Sequence, residues 1–266
     1  LSQLYLMAPG AQTAGGGSYD SVRFSGRANQ QNAVRFDGVE ASSVIDASPG
    51  NLNGETPTGF RLQSSLENVQ EFRVDSSNYP AEFGTGTAGQ ISIVTKSGTN
   101  EFHGGVLEYV RNSAMDARNF FDGASAAPLR LNQFGGSIGG PIKKEKIFFF
   151  ASYEGLRQRA YQNIIEAVPS AAARARAVPS IQPLMSLYPT GTPTSNPDLD
   201  LAQLLARAPL NENYGSLRLD YRINDKYNLT ARYFRDQGEL ILPLNVTRNY
   251  ARTTGVPQNG VVALQQ

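Results

Sequence analysis

The chain is 266 residues long, with 24 Lys+Arg against 23 Asp+Glu, a formal net charge of +1 and no Cys; that balance makes no strong positive field, so nucleic acid is not an expected partner. Zero cysteine excludes a disulfide framework and thiolate metal sites while leaving the compartment open. The longest apolar run, Ile147–Ala151, falls far short of the roughly 20 residues of a membrane-spanning helix, whereas barrel strands need only about 9–11 residues apolar at alternate positions, so a mean hydropathy of -0.35 is compatible with a membrane barrel.

Residues 1–20, with MAPGAQTAGGGSYD, show neither helical nor strand periodicity and read as a flexible lead-in. The chain opens at Leu1 without a basic-then-apolar signal segment, so a fragment or processed piece is expected. In SVRFSGR (residues 21–27) and again over 33–36, Val and Phe alternate with polar residues ahead of the turn pair Asp37-Gly38, which predicts two short strands. Residues 39–59 carry the breakers Ser48-Pro49-Gly50, Asn53-Gly54 and Thr56-Pro57. A helical turn is expected over 63–68, capped by Ser64 or Ser65 with Leu66 and Val69 inward. Two alternating runs, 71–75 and 90–95, then flank a glycine-rich turn.

After Lys96-Ser97-Gly98-Thr99-Asn100, a polar turn, the rhythm changes to long strands, expected at 102–112, 132–142, 147–161, 213–223 and 227–237, with a sixth from near Gly260. Their connections alternate. The bends at Lys143–Lys146 and Asn224–Lys226 are tight, while 113–131, 162–212 and 238–259 are long, the habit of outer-membrane barrels. The 162–212 stretch reads as one long extracellular loop in which 171–177 and 199–208 have helix-forming composition. Leu217, Leu219, Tyr221 and Ile223 alternate with Ser216, Arg218, Asp220 and Arg222, and Tyr227, Leu229, Ala231 and Tyr233 with Asn228, Thr230 and Arg232. Such hairpins suit a soluble sandwich with its core inside, or a barrel with lipid outside and water within. In the barrel, Tyr153, Tyr161, Tyr214, Tyr221 and Tyr227 would form interfacial girdles.

An enzyme is not expected, because the parts are missing. One histidine, His103, cannot build a metal cluster, Ser97 and Ser137 lack a partnering base, and Glu101 and Glu108 have no acid–base spacing. The run Gly135–Pro141 is followed by KKEK and Ile147-Phe148-Phe149-Phe150 rather than by a helix, so it does not read as a phosphate loop. Glycines here more often permit bends or close backbone approach. No metal or cofactor is called for.

The order ENVQEFRV (67–74), YPAEFGTGTAGQISIVTKSGTNEFHG (79–104), LEYVRN (107–112) and DARNFF (116–121) resembles the plug-to-barrel junction of TonB-dependent outer-membrane receptors, in particular the Oar-like group. The resemblance implies an α+β plug domain over 21–96, followed over 97–266 by an antiparallel all-β segment, part of a transmembrane β-barrel of roughly 22 strands. It places the chain in the bacterial outer membrane and implies gated uptake or export of a large solute. Its implied partners are outer-membrane lipid, an unidentified extracellular ligand and a TonB-type energising complex gripping a segment upstream of Leu1. Ligand-facing plug loops would carry Glu40, Ser42, Ser43, Phe83 and Thr85. The junction motif would be Glu82, Phe83 and Gly84 with Thr95, Lys96, Ser97, Gly98, Thr99 and Asn100. A non-transporting surface-binding or adhesion barrel and a soluble β-sandwich binding module stay open as alternatives.

Overall fold

The computed structural model describes residues 6–13, 22–27, 31–40, 65–76, 79–83, 88–118, 120, 122, 126–256 and 258–265. Within them the chain forms two main sheets, one small and one large, the first packed on the inner face of the second.

The small sheet has the order β4-β3-β6-β5, with β3 at Ala33–Phe36, β4 at Val39–Glu40, β5 at Val69–Asp75 and β6 at Gln90–Thr95. The β3–β4 hairpin closes through Asp37 (φ 48°) and Gly38 (φ 81°), both left-handed as an Asp-Gly turn of this kind requires. β3 runs parallel to β6, and β5 pairs antiparallel with it across an irregularity at Val69/Glu71. A short 3-10 turn at Leu66–Asn68 precedes β5; its N-cap is Ser65, whose hydroxyl accepts from the Glu67 N–H. Val69 packs on the core as expected, but Leu66 is exposed. Ahead of this sheet, β1 (Ala11–Thr13) pairs with β2 (Val22–Phe24), so part of the expected lead-in is structured.

The large sheet is a meander. β7 (His103–Asn112), β8 (Leu129–Lys143) and β9 (Ile147–Pro169) follow one another antiparallel, and β9 then pairs with β11 (Leu199–Arg207) and β12 (Leu210–Arg222). β11 and β12 form one line, since Arg207↔Tyr161 and Leu210↔Gln158 keep a common register and the Ala208 N–H bonds the Ala160 carbonyl. Pro209, lacking an N–H, marks the interruption. β13 (Asn228–Pro243) pairs with β12, then with β14 (Tyr250–Gly255) and β15 (Gln258–Gln265), again in one register. The two-residue β10 (Thr192–Pro193) caps the outer end of β11.

These spans correct the expected loop. Residues 162–169 and 199–207 are strand, and the connection shrinks to 170–198, with α1 at Ala171–Ala175 and α2 at Gln182–Met185. The Leu/Ala run at 199–208, expected as helix-forming, is instead extended, because nine cross-strand pairs to β9 outweigh a propensity difference of under about 1 kcal/mol per residue. The expected 238–259 connection is likewise mostly strand, with a turn only at 244–249.

The two faces of the meander settle which way it looks. Leu217, Leu219, Tyr221 and Ile223 are 38–45% exposed, while Arg232 is 5% exposed and Phe234 2%. A soluble sandwich would reverse that order. The apolar outside and the charged, covered inside are those of a partial membrane barrel. The inner face is covered by the small sheet: Val34, Phe36, Ile91 and Ile93, with Val22 and Phe24, form one core with Leu156, Leu210, Tyr214, Phe234 and Leu240. Tyr214, expected in a girdle, belongs to this core; it is 1% exposed, stacks on Phe234 at 6.0 Å, and its hydroxyl accepts from Asn68 Nδ2.

The tight bends share a rim. The Arg222 N–H bonds the Lys146 carbonyl, and Asn100 Oδ1 accepts from the Glu145 N–H at 2.7 Å, so the junction turn, the Lys143–Lys146 bend and the Asn224–Lys226 bend lie together. The 170–198 connection ends strands running the other way.

Candidate functional site

The small sheet meets the wall through charge as well as through its apolar core. Alternation turns the even-numbered residues of β12 and β13 inward, which brings Arg218, Asp220, Thr230 and Arg232 beneath the Asp37 turn and the end of β6. Asp37 Oδ2 accepts from Arg232 Nη1 and from Thr95 Oγ1, each at 2.8 Å, and its Oδ1 accepts from the Thr95 N–H, also at 2.8 Å. Arg218 donates through Nη1 to the Thr95 carbonyl at 2.8 Å and to Thr95 Oγ1 at 2.9 Å, and lies 3.5 Å from Asp37 Oδ1. Asp220 holds Arg218 in place by a two-pronged contact and accepts from Thr230 Oγ1 at 2.8 Å. The Arg232 guanidinium also lies 5.1 Å from the Phe36 ring centre, a cation–π contact that accommodates a charge in an otherwise aromatic setting.

Further from the rim of tight bends, the inner face is acidic. Glu154, Glu212 and Asp236 are buried, and Gln133 Nε2 donates to Glu154. The wall therefore presents Arg218 and Arg232, with Asp220 beside them, near that rim, and Glu154, Glu212 and Asp236 further from it. A buried ionic contact contributes registry more than adhesion, because desolvation cancels much of the Coulomb gain.

The junction segment is pinned link by link. The Lys96 N–H bonds the Asn68 carbonyl and Lys96 Nζ lies 3.8 Å from Glu67 Oε2. Ser97 is half-buried and Gly98 buried. A Cβ on Gly98 would stand 2.3 Å from the Phe149 carbonyl oxygen and 2.7 Å from that of Gly140, so only glycine lets the chain pass this close to β8 and β9. Thr99 Oγ1 donates to the Glu101 carbonyl at 2.9 Å and sits 3.3 Å from His103 Nδ1, and Asn100 holds the Glu145 bend. His103 has an exposed, structural place on β7, with its ring 6.2 Å from that of Phe150.

Of the expected ligand-facing residues, Phe83 lies on the 3-10 turn Ala81–Phe83, its ring under the Arg35 guanidinium at 4.8 Å and edge-on to Tyr79, and its carbonyl accepts from Arg35 Nη2. That turn joins the ends of β5 and β6 that point away from the rim of tight bends. Glu40 is on the edge strand β4, and the Asp37-Gly38 turn leading to it faces that rim. Glu82 shares the turn of Phe83; Ser42, Ser43, Gly84 and Thr85 lie outside the described residues, and of the loop expected over 39–59 the first two residues form β4 while the rest lies outside the described residues. The residues that sequence reasoning missed are Arg218 and Arg232 as partners of Asp37, contacts spanning 181 and 195 positions.

Comparison with known proteins agrees with this architecture. Residues 94–178 match the family described as an outer membrane beta barrel domain. The chain is similar to the TonB-dependent transporter Oar of Myxococcus xanthus, 32% identical over 158 residues, which is 55% of this chain and 13% of the transporter's length. Among solved structures it is similar to mutant forms of the ferric enterobactin receptor from Pseudomonas aeruginosa. A double mutant gives a TM-score of 0.55 at 14% identity and a single mutant with bound enterobactin 0.54 at 15%, each covering 99% of this chain and 37% of that one. At such identity the likeness shows the fold. The resemblance drawn from the junction motifs is borne out: the chain carries an outer-membrane β-barrel segment related to that of TonB-dependent transporters, and its place is the bacterial outer membrane.

Proposed function

We propose that this chain is the plug, about residues 21–96, and the first six wall strands of a TonB-dependent transporter that moves a large solute through a plugged barrel. The chain spans only 13% of its curated relative and 37% of the receptor structures, and the rest of the wall is supplied by other parts of the protein. The observation that carries the reading is the Asp37–Arg232–Arg218–Thr95 cluster, a set of charge-assisted contacts between a small inner sheet and a barrel wall. Such contacts hold a plug in one register yet can be exchanged for water when the plug moves, which a seamless apolar interface would not permit.

In this reading the rim of tight bends faces the periplasm and the 170–198 connection faces outside. Ligand meets the plug from outside, where the Phe83 turn lies and where the resemblance places Thr85, whereas Glu40 directly follows the Asp37-Gly38 turn at the opposite rim. The energising complex pulls from the periplasmic side on a segment preceding Leu1. Thr95–Asn100 would then act as the fixed end of the plug, tethered to the wall at Gly98 and Asn100. No covalent chemistry is called for. Neither the enterobactin of the solved receptors nor any other solute is carried over at 14–15% identity.

The test is solute uptake by cells expressing the full-length protein, with and without a collapsed proton gradient. Energy-dependent uptake that disappears when the N-terminal coupling segment is deleted supports the proposal. Solute binding at the surface with no energised uptake overturns it in favour of an adhesion or binding barrel.

A further inference from the structure

The small sheet is held along one side of the wall. Its apolar contacts are with Leu156 of β9, Leu210 and Tyr214 of β12, and Phe234 and Leu240 of β13; its charged contacts are with Arg218 and Arg232, and Asn68 reaches the Tyr214 hydroxyl. Among the described residues, none of β7 or β8 belongs to that core. β7 nevertheless turns its odd-numbered residues to the same inner side, since Leu107 stands opposite Gly135 and Gly135 opposite Glu154. Tyr109 there is 60% exposed, against 1% for Tyr214 on the inner face of β12, and His103 and Gly105 are exposed with it. A tyrosine that packs removes about 150–250 Å² from water. At Tyr109 that gain is left unused, and space stays open between β7 and the sheet.

Little crosses that space. A Cβ on Gly105 would have Glu67 Oε2 as its nearest neighbour, at 3.8 Å, whereas one on Gly104 would meet the Ser137 carbonyl oxygen at 2.2 Å. Packing therefore demands glycine at 104 but not at 105, where a strand-interior glycine weakens β7 and leaves its inner face bare beneath Glu67. Glu67 in turn is held by Lys96 Nζ at 3.8 Å, with the two side chains 34% and 37% exposed, and an ion pair that open to water contributes little. Moving Glu67 off Gly105 breaks no apolar contact of the core. Moving the sheet off β12 and β13 would uncover Tyr214 and strip Arg232 of its counter-charge, a far costlier step.

We propose that the small sheet stays seated on β9, β12 and β13 while the gap beside β7, closed at rest by Glu67 over Gly105, widens to pass the solute, with Tyr109 the wall residue that the solute meets on its way to Gly105. The inference rests on the transport reading and adds to it which wall strands line the passage and which hold the sheet.

The test uses the full-length protein, with any cysteine elsewhere replaced, carrying either Gly105→Cys or Ser152→Cys in cells growing in complex medium. Ser152, 7% exposed on the inner face of β9, reports on the anchored side. The rate of labelling by fluorescein maleimide is read with the proton gradient intact and after its collapse, and only the folded fraction, identified by heat-dependent gel mobility, is compared. The expected result is labelling at 105 at least about fivefold faster with the gradient than without it, no change at 152, and fast labelling at 105 even without the gradient once Glu67→Ala is added. Gradient-dependent labelling at 152 rather than 105, equal rates at 105 with and without the gradient, or no effect of Glu67→Ala would overturn the inference while energised uptake persists, leaving the transport reading standing. Absence of energised uptake in the same cells would overturn both.

Discussion

Asp37 does three things at once: it closes the β3–β4 turn with φ 48°, accepts both hydrogen bonds of Thr95, and neutralises Arg232. Replacing it with Asn leaves the turn able to form, since Asn tolerates the left-handed region, but strips the Arg232 side chain, 3% exposed, of its counter-charge. Leaving one member of a buried pair alone costs about 3–5 kcal/mol. Asp37→Asn is therefore expected to lower unfolding free energy by about 3 kcal/mol in a denaturant titration in micelles, with amide exchange accelerated over Ile91–Thr95; unchanged exchange there would show that the contact holds nothing. Gly98 and Gly140 make a second comparison at this scale. A methyl on Gly98 meets backbone oxygen at 2.3 Å, whereas one on Gly140 meets the Phe102 ring at 2.4 Å, and Phe102 is 69% exposed and free to swing away. Gly98→Ala is expected to cost about 1–3 kcal/mol and Gly140→Ala under about 1 kcal/mol, measured as the shift in thermal unfolding.

The strands divide into what local pattern reveals and what only pairing decides. The Asp37-Gly38 turn and the two tight bends were legible because left-handed and reversing backbone demands particular residues. The alternation of β12 and β13 was legible because their outer face is apolar and their inner face meets the small sheet. Tyr214 was misplaced although the signal was there: it shares parity with Ser216, Arg218 and Asp220, the inward set, so its face was fixed by its neighbours. β11 was less readable. Leu199, Leu201 and Leu205 point one way and Ala202, Leu204 and Ala206 the other, so no apolar–polar contrast marks a strand, and Pro169, Pro193 and Pro209 punctuate the region as though it were loop. Only pairing with β9 makes it extended. The Asp37–Arg232 contact, 195 positions apart, has no local trace whatever. The assigned faces predict an asymmetry between substitutions along the β11–β12 line: Leu219→Arg, on the apolar band, is expected to cost about 2–4 kcal/mol, and Leu201→Arg, past the band and opposite Ala167, about 0–1 kcal/mol. Equal costs in a bilayer refolding titration would mean that β12 does not cross lipid.

At the scale of the whole molecule, the six wall strands of the described residues wrap one side of a small sheet, and the two rims differ in kind. One gathers the junction turn and both tight bends within hydrogen-bonding reach of each other; the other extends β9 and β11 past the apolar band into the 170–198 connection with its two short helices. In the proposed function that asymmetry would orient the chain across the membrane, with the tight-bend rim periplasmic and the small sheet fixed at that end. This stretch has no cysteine, so once any cysteine elsewhere in the full-length protein is replaced, single thiols report on sidedness without background. The most direct measurement is labelling of intact cells by a membrane-impermeant thiol reagent on full-length protein carrying either Ser195→Cys, in the long connection, or Asp225→Cys, in the tight bend. Labelling at position 195 on intact cells, and at position 225 only after the outer membrane is opened, is the expected outcome; position 225 reacting on intact cells as readily as 195 would contradict the arrangement.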